Sequence, residues 1–303
     1  MLASQLNKDL QKLFSELGFD SFYSPYVLEM AREFKAKKDK ILLMIARMYE
    51  DYGNVTFAEM NKYNRLNLLY NKIDAEIKEL DKNINKIIAA AIIVVLAKRY
   101  NIAFYTFEKA FRTLLDYRIL SDLQVGKIVD EGLRYVKWDK ALSIQLQQDF
   151  SYQLKNIIMR VLKRPDLNYS ELAKAISERA NITAGRIEGI IRDQIGKIIS
   201  HADLLAYEQA QKELKGVDLR KVWNHDLPKT NRPVHVRFSG TPADENGIFT
   251  LPNGSETEAP RLFGLPEEDI NCKCFLTFRI VGDKEINIGD FSLTFNEWER
   301  LYK

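Results

Sequence analysis

From Leu66 onward, apolar side chains recur at Leu66, Tyr70, Ile73, Ile77, Leu80, Ile84, Ile87 and Ala91, in alternating steps of four and three. This spacing predicts a long helix with one apolar stripe that a second helix has to cover. Between the seam positions, Lys72, Asp74, Glu76, Lys78, Glu79, Asp81 and Lys82 supply a solvated face. The covering helix is expected just upstream. Ser24-Pro25 reads as a helix start, a capping hydroxyl before a proline whose missing N–H costs nothing in the first turn, and Gly53 after Tyr52 as its stop. Thr56-Phe57-Ala58-Glu59 has the form of a capping box and predicts that the second, longer helix begins there. Two long helices joined by Gly53-Asn54-Val55 are expected to fold into an antiparallel hairpin, with self-association through the helices as the alternative way to cover the seam.

Helical periodicity continues over 101–163, with Phe104, Phe107, Phe111, Leu114 and Leu115 on one face and Ile157, Ile158, Val161 and Leu162 on another. Arg164-Pro165 breaks it, because a residue before proline is pushed out of the helical region. Ser170–Ala180 and Thr183–Leu214 read as two more helices, the second striped by Ile187, Ile190, Ile191, Ile195, Ile198, Ile199, Ala202 and Leu205 and ended by Lys215-Gly216-Val217. Beyond Val222 the texture changes to short β-like runs, Val234–Phe238, Cys272–Val281 and Phe291–Phe295. The expected fold is therefore mainly α: a helical body with a long hairpin over 1–164, connecting helices over 165–216, a small α+β or mostly β module over 217–282, and a strand or tail over 283–303.

With 46% hydrophobic and 29% charged residues, the 303-residue chain can bury a full core. A net charge of +3 excludes a global electrostatic signature for nucleic acid, so any contact with DNA has to be local, for instance at Lys35-Ala36-Lys37-Lys38 or Arg160–Arg164. Two cysteines exclude a disulfide-built scaffold and suit synthesis in a reducing cytoplasm. The first residues show no basic region followed by an apolar one, and a signal peptide is not expected. The longest apolar run, Ile87–Ala97, falls short of the ~20 residues that span a bilayer and reads as a core helix, with a membrane-active segment as the alternative.

Both cysteines and two of the three histidines lie in one segment. In an extended strand Cys272 and Cys274, at i and i+2, point the same way with Lys273 opposite. Two thiols side by side can hold a soft metal, and His235 with His225 or Asp226 can complete a tetrahedral structural zinc site in a module whose loop, Ser239–Asp269, is rich in glycine and proline. Buried reduced thiols are an equally open reading. A disulfide across one intervening residue would close a very small ring. Trp223 is expected to anchor the module's core against Phe238 or Phe275, and Arg232 to lock the loop through Glu267, Glu268 or Asp269, or else to meet a phosphate.

Trp223, Arg232-Pro233-Val234-His235, Ser239-Gly240, Phe249, the stretch Pro252–Pro260 and Asn271-Cys272-Lys273-Cys274-Phe275 occur in an order and spacing that resemble the C-terminal domain of the phage Mu F-like minor head proteins, the head-morphogenesis family of tailed phages. The likeness covers about residues 185–280. The chain departs from the family's pattern in two places. Lys229-Thr230-Asn231 stands where an acidic residue commonly precedes the Arg-x-x-His, and Lys273 replaces the arginine between the cysteines. The resemblance implies a minor capsid protein inside the head near the portal, acting in head assembly and able to leave with the DNA. Its implied partners are the portal protein, the major capsid protein and packaged double-stranded DNA.

The alternative is an enzyme or injected effector: a metal-dependent nuclease centre built on Asn224-His225-Asp226 and His235, in which His225 activates water. That centre would need a further metal-ligating His or Asn after the second strand, where this chain enters a Gly/Pro loop. The chain has no phosphate-binding Gly-x-x-x-x-Gly-Lys loop, no Gly-x-Ser-x-Gly elbow and no His-Glu-x-x-His. Some Mu F-like proteins carry fused ADP-ribosyltransferase domains, but outside the motif this chain reads as helical, without an acid pair of that type. No catalytic residue is assigned.

Overall fold

The structure, a computed structural model, describes residues 3–16, 20–53, 57–62, 64–116, 120, 124–126, 138–164, 168–225, 232–281 and 291–302. It is mainly α, with long helices and a few short antiparallel strands in a small C-terminal region. Two compact units are formed, one from Tyr23–Ala90 and Lys137–Ile191, the other from Met1–Phe22, Ala91–Val136 and Arg192–Lys303.

In the first unit the hairpin is built from α2 (Asp20–Tyr52) and the early turns of α4 (Arg65–Phe111), with a six-residue α3 (Phe57–Lys62) between them. Their contacts step in opposite directions along the two helices, which makes them antiparallel. Asn83 donates to Glu33 at 2.9 Å, Lys37 reaches Glu79 at 2.6 Å and Glu76 at 2.9 Å, and Lys40 meets Glu76 at 2.6 Å. Leu66, Ile73, Ile77, Leu80, Ile84 and Ala91 of the seam are buried; Tyr70 and Ile87 are half-buried, and Ile88 takes the buried place beside Ile87. The basic run at Lys35–Lys38 is not a free surface patch, because Lys37 is spent inside the hairpin.

A second layer comes from α5 (Trp138–Ser143), a π-helical stretch (Ile144–Phe150), α6 (Ser151–Leu162) and the early turns of α7 (Tyr169–Glu213). Asp74 on α4 accepts from Ser151 Oγ at 2.5 Å and pairs with Lys155 at 2.6 Å, while Phe34 meets Phe150 and Tyr49 meets Tyr169 edge-on.

Several helix boundaries differ from the sequence expectation. α2 begins at Asp20, so Pro25 lies inside it rather than at its first position. The long second helix starts at Arg65 instead of Thr56, because Asn64 takes a left-handed conformation (φ 55°) that ends α3; Thr56 itself lies outside the described residues. α4 stops at Phe111 with Arg112 left-handed (φ 48°), which leaves Leu114 and Leu115 beyond the helix. The two helices expected over 170–214 are one, since Asn181 and Ile182 carry the helix through. Its start is fixed by a reciprocal cap: Ser170 N–H donates to Asn168 Oδ1 at 2.9 Å and Asn168 N–H to Glu171 Oε2 at 3.1 Å. By length and composition α4 is apolar enough to cross a membrane, and just over half of its most apolar stretch is buried within the protein.

In the second unit the later turns of α4 and α7 are joined by a buried bidentate pair, Arg99 to Asp203 at 2.6 and 2.8 Å. An antiparallel ladder of β1 (Asp218–His225) and β4 (Cys274–Val281) pairs Trp223 with Leu276 and His225 with Cys274. α1 (Ala3–Ser15) covers this sheet through Phe14, which packs on Phe107 and Phe278. Asn7 acts as a fragment of a third strand, its amide donating to Ile280 O at 3.0 Å and accepting from Ile280 N–H at 2.6 Å. That satisfies part of an edge that would otherwise be open.

Phe291–Phe295, expected as a strand, has no ladder partner among the described residues and leads into α10 (Phe295–Tyr302). The helix is anchored by Trp298, fully buried, whose indole N–H donates to Glu108, and by Tyr302, which donates to the same carboxylate at 3.2 Å.

Candidate functional site

The chain enters the site along β1, which sets Trp223 in the centre of the module. Trp223 is fully buried and meets Phe249, Phe238 and Phe263 at ring distances of 5.5, 5.7 and 5.9 Å. Phe275, the other expected partner, sits one register position away, opposite Asn224 on the other sheet face. After β1 the alternating run Val234–Phe238, expected as a strand, is instead the one-turn helix α8 (Pro233–Arg237). Pro233 at its first position fixes a helical φ, and the single turn directs His235 inward, at 1% exposure. Arg232, at the helix start, does lock the loop, but through carbonyls: it donates to Glu268 O at 3.2 Å and Ile270 O at 2.9 Å rather than to a carboxylate.

The Gly/Pro loop is more ordered than its composition suggests. It carries a two-residue ladder, β2 (Phe249–Thr250) with β3 (Glu256–Thr257), and a short helix α9 (Pro266–Asp269). Asp269, buried, accepts the N–H groups of Phe263 and Gly264 at 3.0 and 2.9 Å and fixes the approach to α9. Asn271 then adopts φ 59°, a left-handed turn that asparagine tolerates, and delivers Cys272 and Cys274 to the same side. Cys272 precedes β4 and Cys274 is its first residue.

These elements converge on one imidazole. His235 Nδ1 lies 3.5 Å from Cys272 Sγ and 3.7 Å from Cys274 Sγ, while Nε2 lies 2.7 Å from Glu268 Oε2. Glu268 is itself held by Asn253 Nδ2 at 2.7 Å. Both thiols are free and buried. Each influences the other: Cys274 hydrogen-bonds Cys272 and, with His235 and Arg261 and against burial, holds the Cys272 thiol well below its ordinary range. The same neighbour, together with burial, pushes Cys274 up. Burial disfavours charge on His235, but Cys272 and Glu268 outweigh it and raise its pKa. Behind the thiols, Arg261 (φ 69°, buried) donates from Nε to Cys272 O at 2.6 Å and passes over Gly196 of α7, where a Cβ would stand 2.7 Å from Arg261 Cδ.

Of the residues singled out from sequence, His235, Cys272 and Cys274 are brought within 4.8 Å of one another. His225 lies opposite Cys274 in the ladder but outside this group, with a buried Nδ1 that has no hydrogen-bond partner. Asp226 lies outside the described residues. The His225/Asp226/His235 nuclease grouping is therefore not assembled among the described residues, and both ring nitrogens of His235 have partners inside the core, Glu268 on one side and the two thiols on the other. Sequence reasoning missed Glu268 as the carboxylate on His235, and missed Arg261 and Gly196 altogether. The only signal for Glu268 was its place among three acids after Pro266, of which Glu267 is exposed.

No protein-family model and no solved structure matches the chain. Among characterised proteins it is similar to the minor head protein GP7 of Bacillus phage SPP1, with 22% identity over 289 residues, 89% of this chain and 90% of that protein. It is also similar to the NAD(+)–arginine ADP-ribosyltransferase EFV of Enterococcus faecalis, with 24% identity over 225 residues; this covers 74% of the chain and 45% of that protein, so more than half of the longer protein has no counterpart in the alignment. The first of these similarities, running almost end to end in both chains, supports a phage minor head protein at the level of the family.

Proposed function

We propose that this chain is a minor capsid protein of a tailed bacteriophage, made in the host cytoplasm and incorporated inside the head near the portal, where it acts in head assembly and accompanies the DNA on ejection. The observation that carries this reading is the similarity to a minor head protein over nine-tenths of both chains. The physical character of the molecule is consistent with an adaptor. Its long helices offer extended surfaces, and the group formed by His235, Cys272 and Cys274 is buried. In this reading the portal protein, the major capsid protein and packaged double-stranded DNA are its partners, and contact between copies through the helices is a further one.

The test is quantitative peptide mass spectrometry on density-purified particles from cells producing this chain, comparing DNA-filled heads with particles after DNA release. The expected result is a few copies per filled head, far fewer than the major shell protein, and loss after release. Retention after release would remove the ejection step. Absence from particles would overturn the head-protein reading. The second similarity then gives the alternative its test, since an arginine-specific ADP-ribosyltransferase would transfer label from radiolabelled NAD to an arginine-containing acceptor.

A further inference from the structure

We infer that His235, Cys272 and Cys274 form a binding site for one soft divalent cation of the zinc class, which clamps α8 to the start of β4. Zinc binds sulfur at about 2.3 Å and imidazole nitrogen at roughly 2.0–2.1 Å, and tetrahedral angles between such bonds put nitrogen and sulfur about 3.5 Å apart. The two measured Nδ1–Sγ separations are 3.5 and 3.7 Å. One nitrogen thus stands at tetrahedral-edge distance from two sulfurs at once. A hydrogen-bonded nucleophile pair needs only one sulfur there, and two thiols buried merely as apolar groups need no nitrogen at all.

The surroundings prepare the ring for this role. Glu268 Oε2 engages Nε2 at 2.7 Å, which in the neutral ring fixes the proton on Nε2 and turns the Nδ1 lone pair toward the sulfurs. Glu268 is steadied in turn by Asn253 at 2.7 Å. Softness selects the ion, because two thiolates and an imidazole favour zinc over magnesium or calcium, which take oxygen ligands. Loading releases the protons that the cluster holds in the metal-free chain, and two thiolates neutralise the dication. With His235 and Cys272 at 1% and 5% exposure, the ion is taken up as the module folds. His225 is not a donor. It lies outside the group although it faces Cys274 across the ladder.

The full chain, purified without immobilised-metal resin from zinc-supplemented medium, is expected to carry about one zinc per molecule by elemental mass spectrometry. Replacement by cobalt should give a thiolate-to-metal charge-transfer band in the near ultraviolet. Cys272→Ser and His235→Ala should each lower metal content more than tenfold, and His225→Ala should leave it unchanged. Glu268→Gln should retain the metal but weaken binding by about 10- to 100-fold against a chromophoric chelator. A folded chain that holds no zinc and gives no cobalt–thiolate band overturns the site. So does metal content insensitive to Cys272→Ser and His235→Ala, and loss of metal in His225→Ala overturns the assigned donor set. Should the donor variants fail to fold, alkylation of the wild-type chain decides: chelation has to increase the reactivity of both cysteines, and equal protection with and without chelator overturns the proposal.

Discussion

The cluster around His235 depends on one close approach that involves none of its donors. Arg261 holds the carbonyl of Cys272 from behind and lies flat across Gly196, where a β-carbon would meet its Cδ at 2.7 Å and its Nε at 2.9 Å. In an ordinary helix position, glycine to alanine gains roughly 1 kcal/mol of helix propensity. Here the added methyl has to displace a buried guanidinium stem, and overpacking of that kind costs about 1–3 kcal/mol. Gly196→Ala is therefore expected to lower stability in urea denaturation; a variant as stable as the parent, or more so, would show that Arg261 moves aside freely. Cys272, Cys274 and His235 are legible because their residue types are rare in the chain and chemically specific. Glu268, Arg261 and Gly196 are not, because their types are common, and their importance comes from contacts with residues 33, 11 and 65 positions away.

At the scale of elements, the seam from Leu66 was readable because a long amphipathic helix repeats its own evidence many times over, whereas helix ends rest on one or two residues. Asn64 and Arg112 end helices by turning left-handed, which composition does not announce, and Asn168 caps α7 where Ser170 looked the better start. Val234–Phe238 failed for a different reason: five residues alternate equally well as a strand or as one turn behind a proline, and the fixed φ of Pro233 settles it. The hairpin's polar contacts support a pH prediction. Burial works against ionisation of Glu76, but hydrogen bonds and charges from Lys40 and Lys37 outweigh it and hold the carboxyl below its ordinary value. A lowered carboxyl pKa gives stability that is present above the unfolded value, about 4.3, and lost as pH falls through the folded one. Glu76→Gln is expected to cost about 1.5–3 kcal/mol at pH 7 and much less near pH 3. Denaturation curves at the two pH values check this, and an equal gap at both would mean that the charge of Glu76 contributes nothing.

For the molecule as a whole, chain order and packing order part company. The break at Arg164-Pro165 looks like a place to cut, yet each compact unit draws on chain from both sides of it. In the first unit Tyr49 of α2 packs on Tyr169 of α7; in the second, Arg99 of α4 is paired with Asp203 of α7. A fragment of residues 1–164 would keep the hairpin but lose α7, which leaves Tyr49 without its ring partner Tyr169 and Arg99 without its carboxylate. Removing one partner of a buried ion pair costs on the order of 3–5 kcal/mol, a large fraction of a typical domain's total stability. The fragment is accordingly expected to retain helical circular dichroism but to melt broadly, without the single cooperative transition of a packed domain. Residues 168–302 expressed alone should fare no better, because α1 and the later turns of α4 supply Phe14, Phe107 and Glu108 to their core. A sharp, denaturant-steep transition in the 1–164 fragment would instead show that the helical body folds independently and that α7 docks onto it afterwards.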